Sequence, residues 1–378
     1  MTIEISSLID CAIERTGLHD LGDSSYQAPL ERLVASLNTE TELNATGNYV
    51  ATNILVDALV NRLKIEDYWK RHPQLEEQVV ARPVIIIGMS RSGTTALSHL
   101  LAKDPSFRSL LAWEAKDSVP PPKAETYWTD PRYLAAVEAD RNTVPSKIRA
   151  LHYDPPNAPV ECNALFNMTF QSTAISTVFY VPSFLRWMMT ADTAYLYDYH
   201  ARMLKLLQSE TPGRWVLKAP QHALDPEQLR AHYPDATFVI THRDPAACVG
   251  SSASLFSTLN DVMSGVHRPR ELGALAAEFF DHKAERLIAF ARDHEESVVN
   301  VPYERLIADP MGAVRQVLDA AGHELQPDAE AAISAHINEK PQHSHGVHRY
   351  DIADFGLDRR ALHERYADYI EAFGIPTV

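Results

Sequence analysis

The sequence predicts an α/β fold: a parallel sheet flanked by helices, with a helical N-terminal segment and a helical insertion over the strand ends. Three observations predict it. Short continuous apolar runs recur: PVIIIG at 83–88, RWVLK at 214–218, TFVIT at 237–241 and SVVNV at 297–301. Each is too short for a helix and lacks the alternation of a half-exposed strand, which suits strands buried on both faces. Helical patterns lie between them, as crossover connections require. A glycine-bearing turn follows the first run directly and opens a helix.

Residues 1–80 read as helical, with apolar residues at helical spacing over 28–37 and 51–69. After the strand at 83–88, a helix is expected over about 94–103, stopped by Asp104 and Pro105. The stretch from about 115 to 210 is of another kind. It opens on three prolines at 120–122, has a second proline-rich piece at 154–156 and carries scattered aromatics. It reads as a mostly helical insertion over the strand ends, where α/β folds build ligand pockets. A His-rich loop at 341–350 precedes a final helix.

Composition bounds the function. The chain has 378 residues, 45% of them hydrophobic, enough for a substantial core. Its net charge of −15 argues against a nucleic-acid-binding face. An anionic ligand would need a locally positive site. Cys11, Cys162 and Cys248 lie far apart and suggest neither disulfides nor zinc, so a reducing, cytoplasmic setting is expected. The first residues carry acids and no basic-then-apolar pattern, so no signal peptide is expected. No stretch approaches the roughly 18 apolar residues of a membrane span.

The turn GMSRSGTT at 88–95 is P-loop-like in context. Backbone N–H groups at a helix start, aided by the helix dipole, attract an anion. Gly93 lets the backbone approach it; Ser92, Thr94 and Thr95 add hydroxyls, and Arg91 adds a permanent charge. The spacing matches the start of a Walker motif, but Thr94 stands where a nucleoside triphosphatase needs Lys. A kinase or P-loop hydrolase is therefore the weaker reading. A non-enzymatic nucleotide-binding module is weaker still, since Arg91, Lys218 and Arg243 are all present. A second candidate anion site follows the strand at 237–241. Arg243 sits at the strand end, Pro245 suits a first helical turn, and Ser251 follows two turns along.

The segment RSGTT at 91–95 resembles the 5′-phosphosulfate loop of sulfotransferases that use 3′-phosphoadenosine 5′-phosphosulfate, particularly their bacterial branch. The resemblance implies that Arg91 contacts the 5′-phosphate and the sulfuryl oxygens. Arg243 and Ser251 resemble the family's 3′-phosphate motif. Ala96 departs from the animal enzymes, which carry Trp there near adenine. VPYERL at 301–306 is similar to a family segment whose Tyr lies by adenine, making Tyr303 the candidate; an amphipathic Tyr capping the core is the equal alternative. The loop at 342–350 looks like one found in bacterial members, where it replaces the basic glycine-containing loop that closes over the nucleotide in animal enzymes; the resemblance makes Gly346 and Arg349 the contacts. Its three histidines lack a completing acid or Cys, so no metal is expected.

On this reading 1–378 is one sulfotransferase domain. Residues 81–114 and 211–350 form the nucleotide-binding core, 115–210 the acceptor-side insertion and 351–378 a C-terminal helix. Sulfuryl transfer needs a base for the attacking hydroxyl. Glu114 ranks first, because sugar and tyrosine sulfotransferases carry a Glu at a similar remove from the loop cation. His222 is next: animal enzymes have Lys-x-His at the corresponding strand end, and here Lys218 matches while Pro220 displaces the His by two. Lys218 is expected to supply charge to the transferring group.

The expected partner is a small-molecule hydroxyl acceptor, an alcohol or phenol on a hydrophobic or lipid-like molecule; the sequence leaves a homo-oligomer open. Trp128, Phe166, Phe170, Phe179, Tyr180, Phe184 and Trp187 either line its pocket or simply pack helices.

Overall fold

Five parallel strands form the centre of the molecule in the computed structural model, which describes residues 2–143, 155–339 and 350–377. They are β1 (Val84–Gly88), β2 (Phe107–Ser109), β3 (Arg214–Lys218), β4 (Thr237–His242) and β5 (Val298–Pro302), in the order β2-β3-β1-β4-β5. Four were expected; β2 was not, because its three residues, FRS, are too short to show a pattern. The alternating residues of β1 explain the continuous apolar run. Ile85 and Ile87 enter one core with Leu217, Phe238 and Ile240. Val84 and Ile86 enter another with Val216, Val239 and Val301. Helices cover both faces, so neither set meets water.

The N-terminal segment is helical as expected: α1 (Ile5–Thr16), α2 (Gln27–Thr39) and α3 (Ala45–Arg71). Their apolar faces share a third core with Phe170, Phe179 and Phe184 of the insertion. The expected helix after β1 is α4 (Thr94–Leu101). Beyond it lie α5 (Ala112–Lys116) and α6 (Pro131–Thr143), then short helices of the insertion. Two long helices, Pro245–Ser264 and Pro269–Asp293, follow β4 and pack on each other. The chain ends in two short helices, Arg359–Arg365 and Ala367–Phe373, rather than one. No helix among the described residues is long and apolar enough to cross a membrane.

Strand order reverses at β1, whose neighbours β3 and β4 are reached in opposite directions. Such a switch point leaves a crevice beyond the carboxyl ends of the strands. Gly88, the last residue of β1, pairs in register with Thr241 of β4. The loops that leave these two strands therefore start side by side.

Candidate active site

The loop after β1 is tied down by its own hydroxyl. Ser92 Oγ donates to the Met89 carbonyl (2.6 Å) and lies 2.6 Å from Thr241 Oγ1. Ser92 is fully buried, so it locks the loop to β4 and is not a free ligand donor as expected. Arg91 and Gly93 both take left-handed backbone, at φ 71° and 101°. Arg91 accepts strain there that Gly93 does not. A Cβ on Gly93 would stand 3.1 Å from the Tyr303 ring and 3.0 Å from Leu306, so close packing also requires glycine.

The second cationic loop meets the first. Asp244 caps the Pro245–Ser264 helix by accepting from the Ala246 N–H, which fixes the turn bearing Arg243. Arg243 Nη1 donates to the Arg91 carbonyl at 3.1 Å, and Arg91 Nε donates to Ser251 Oγ at 3.1 Å. The Arg243 guanidinium rests 4.2 Å over the Tyr303 ring, a cation–π contact that holds it in place. Arg91, Ser251, Arg243, Tyr303 and Gly93 thus form one cluster. Gly346 and Arg349 lie outside the described residues, as do the loop's three histidines. Tyr350, just beyond them, donates to the Ala247 carbonyl at 3.2 Å on the same helix.

A cavity of about 420 Å³ opens from this cluster. Ser90, Arg91, Gly93, Thr94, Thr95, Arg243 and Tyr303 belong to its lining. Val178, Leu185, Leu255, Phe256, Leu259 and Phe279 add apolar wall. Its polar side carries Glu161, Asn163, Thr173 and Gln221. Gln221 is braced, since its Oε1 accepts from the Thr173 N–H and hydroxyl (2.7 and 3.0 Å). Among the described residues no cluster of three or more His, Cys, Asp or Glu is placed to hold a metal.

Comparison with known proteins decides the family. Residues 83–327 match the profile of the sulfotransferase family. The chain belongs to that family. Two solved structures are similar along almost the whole chain. Sulfotransferase STF9 from Mycobacterium avium is 30% identical, with a TM-score of 0.91, covering 100% of this chain and 98% of its own. Sulfotransferase STF1 from Mycobacterium tuberculosis H37Rv is 29% identical, with a TM-score of 0.86, covering 97% and 99%. No curated protein sequence matches significantly.

In this sulfotransferase both expected bases stand away from the cavity. Glu114 in α5 is fully buried; it accepts from Arg108 Nη2 (2.8 Å) and from the Leu111 N–H (2.9 Å). Arg108, itself nearly buried, lies 4.4 Å from the Trp215 ring and also donates to the Leu207 carbonyl. Neither member of the pair lines the cavity. His222 is fully buried beside Tyr197, whose hydroxyl is 3.1 Å from Nδ1. Burial, with His200 nearby, holds its pKa well below the ordinary histidine value. The Pro220–Leu224 turn presents Pro220 and Gln221 to the cavity and His222 to the core.

Lys218, the last residue of β3, is almost fully buried behind the residues that line the cavity. Its Nζ lies 3.1 Å from Thr95 Oγ1 and 3.2 Å from Glu161 Oε1. Glu161 is the acid that sequence reasoning missed. It precedes Cys162, whose N–H donates to the Lys218 carbonyl at 2.9 Å and so clips the insertion to the end of β3. No local pattern marks it.

None of the seven aromatics weighed as pocket residues lines the cavity. Phe166, Phe170, Phe179 and Phe184 are core residues, Tyr180 and Trp187 pack against the cores, and Trp128 is largely exposed.

Proposed function

We propose that this enzyme takes its sulfuryl group from 3′-phosphoadenosine 5′-phosphosulfate and passes it to the hydroxyl of an alcohol or phenol with an apolar body, Glu161 serving as general base. The observation that carries the reading is the convergence of two cationic strand-end loops on one cavity. Two anion sites joined by Arg243, Arg91 and Ser251 suit a nucleotide with phosphates at both ends.

Arg91 and the N–H groups opening α4 hold the 5′ end, and Arg243 with Ser251 holds the 3′-phosphate. Tyr303 is assigned to supporting Arg243, and its ring also closes over Gly93. Gly346 and Arg349 are proposed closing contacts on the strength of the resemblance alone. The attacking hydroxyl approaches along the apolar wall. Its proton passes to a Glu161 oxygen as the new oxygen–sulfur bond forms and the bond to the nucleotide phosphate breaks. Lys218 and Arg91 stabilise charge on the transferring oxygens, which is where such sites gain most of their rate. Three free thiols fit a reducing compartment.

The test is a thermal-shift series followed by transfer of labelled sulfuryl. Adenosine 3′,5′-bisphosphate should raise the melting temperature without metal, and adenosine 5′-phosphate should do so far less. Stabilisation by ATP with magnesium, and none by the bisphosphate, would overturn the donor assignment.

A further inference from the structure

Lys283 is the cation in the cavity that the donor does not account for. It lies on the Pro269–Asp293 helix and lines the cavity, yet is only 1% exposed. Its neighbours on the buried stripe are Phe279, Phe280 and Leu287. A lysine in that stripe breaks an otherwise apolar face, a signal present in the sequence. Phe279 and Phe280 lie 4.0 and 5.6 Å from Nζ, and Ser90 Oγ stands at a long 3.4 Å. No carboxylate among the described residues makes an ion pair with it.

The other cations are engaged. Lys218 pairs with Glu161, while Arg91 and Arg243 belong to the two phosphate loops. Burying an ammonium without an acid is costly, so such a group is either neutral or supplied with an anion by its ligand. Burial pushes the Lys283 ammonium down to about 7. The titratable groups that face it are Glu161, across the cavity, and the buried Cys248 thiol on the neighbouring helix. Lys283 sits one turn along from Phe279, a residue of the apolar acceptor wall, with Ser90 at the edge of the donor loop.

Resting on the donor reading above, we propose that the acceptor carries a second, negatively charged group, a carboxylate or similar oxyanion, and that Lys283 is its counter-ion. The acceptor class is then an anionic amphiphile: a hydroxyl beside Glu161, an apolar body, and an acid on Lys283. An acid at that point completes the missing pair, and its binding draws a proton onto Lys283.

The experiment uses ω-(hydroxyphenyl)alkanoates of increasing chain length, each beside its methyl ester, on the full chain saturated with donor. Wild type should prefer the best carboxylate over its ester by about 10–100-fold in kcat/KM, the worth of one charged hydrogen bond. Lys283→Met should lose that preference through KM, and Lys283→Arg should restore part of it. If no carboxylate in the series is preferred, or if the preference survives Lys283→Met, the proposal falls. A raised dissociation constant for adenosine 3′,5′-bisphosphate in Lys283→Met, with the preference kept, would assign Lys283 to the donor instead. Calorimetry on the wild type decides the matter even if the variant fails to fold. At about pH 8, carboxylate binding to the bisphosphate complex should take up a proton, seen as heat that varies with buffer ionisation, and ester binding should not. Equal proton uptake for acid and ester would overturn the proposal. Failure of the bisphosphate to bind at all would instead fault the donor reading.

Discussion

The Lys218 ammonium lies 3.2 Å from a Glu161 carboxylate oxygen, although one ends a strand and the other belongs to the insertion. Lys218 is 2% exposed, while Glu161 keeps a quarter of its side chain open to the cavity. The lysine fixes the acid, whose open side faces the cavity.

Glu161→Gln should keep the shape of this contact and lose the proton acceptor. Turnover should fall by about 10²–10⁴-fold, the usual worth of a positioned base. Stabilisation by adenosine 3′,5′-bisphosphate should be unchanged. A nitrophenol acceptor, whose proton leaves readily, should recover much of the rate; absence of such recovery would remove Glu161 from the role.

Glu114→Gln should behave as a stability variant. Removing one partner of a buried ion pair costs about 3–5 kcal/mol, and Gln should lose less by keeping some hydrogen bonds. A lower urea midpoint is expected, with turnover per folded molecule close to wild type. A large fall in kcat without loss of stability would reinstate Glu114 as the base.

Arg243→Ala should raise KM for the donor far more than it lowers kcat. Its phosphate does not react, so the contact is made equally in the ground and transition states. Preference for a donor bearing the 3′-phosphate should disappear. Initial rates across donor concentration, with and without that phosphate, decide it.

Acid should destabilise the protein through the histidines packed against Phe166. His200 and His222 are fully buried, and burial lowers His200 from 6.5 to about 3 and His222 well below 6.5. Both stay neutral in the folded state while the unfolded chain takes up protons below about 6.5. Stability is therefore full above that pH and declines as pH falls toward about 3. Urea midpoints between about pH 7 and pH 4 should slope downward, and His200→Asn should flatten the slope.

The buried strands and the loop after β1 were legible because their signals are local. A strand buried on both faces must be apolar throughout, and a loop that wraps an anion must carry glycine at a left-handed position and a cation within a few residues. The expectation for Arg243 and Ser251 came from the same kind of spacing. The short edge strand β2 escaped, because three residues carry no period.

The acid that faces the cavity was decided by tertiary structure alone. The resemblance favoured Glu114 and then His222, and no local pattern marked Glu161, because the direction in which each side chain points is not written in its neighbours. A buried Arg108 claims Glu114, and the Pro220–Leu224 turn rotates His222 into the core. The hydrogen bond from the Cys162 N–H to the Lys218 carbonyl brings Glu161 in from far along the chain. The sequence by itself determined four of the five strands and the two cationic loops, since both follow from neighbours in the chain. Which carboxylate lines the cavity depends on which buried cation each one finds, and only packing between distant segments settles that.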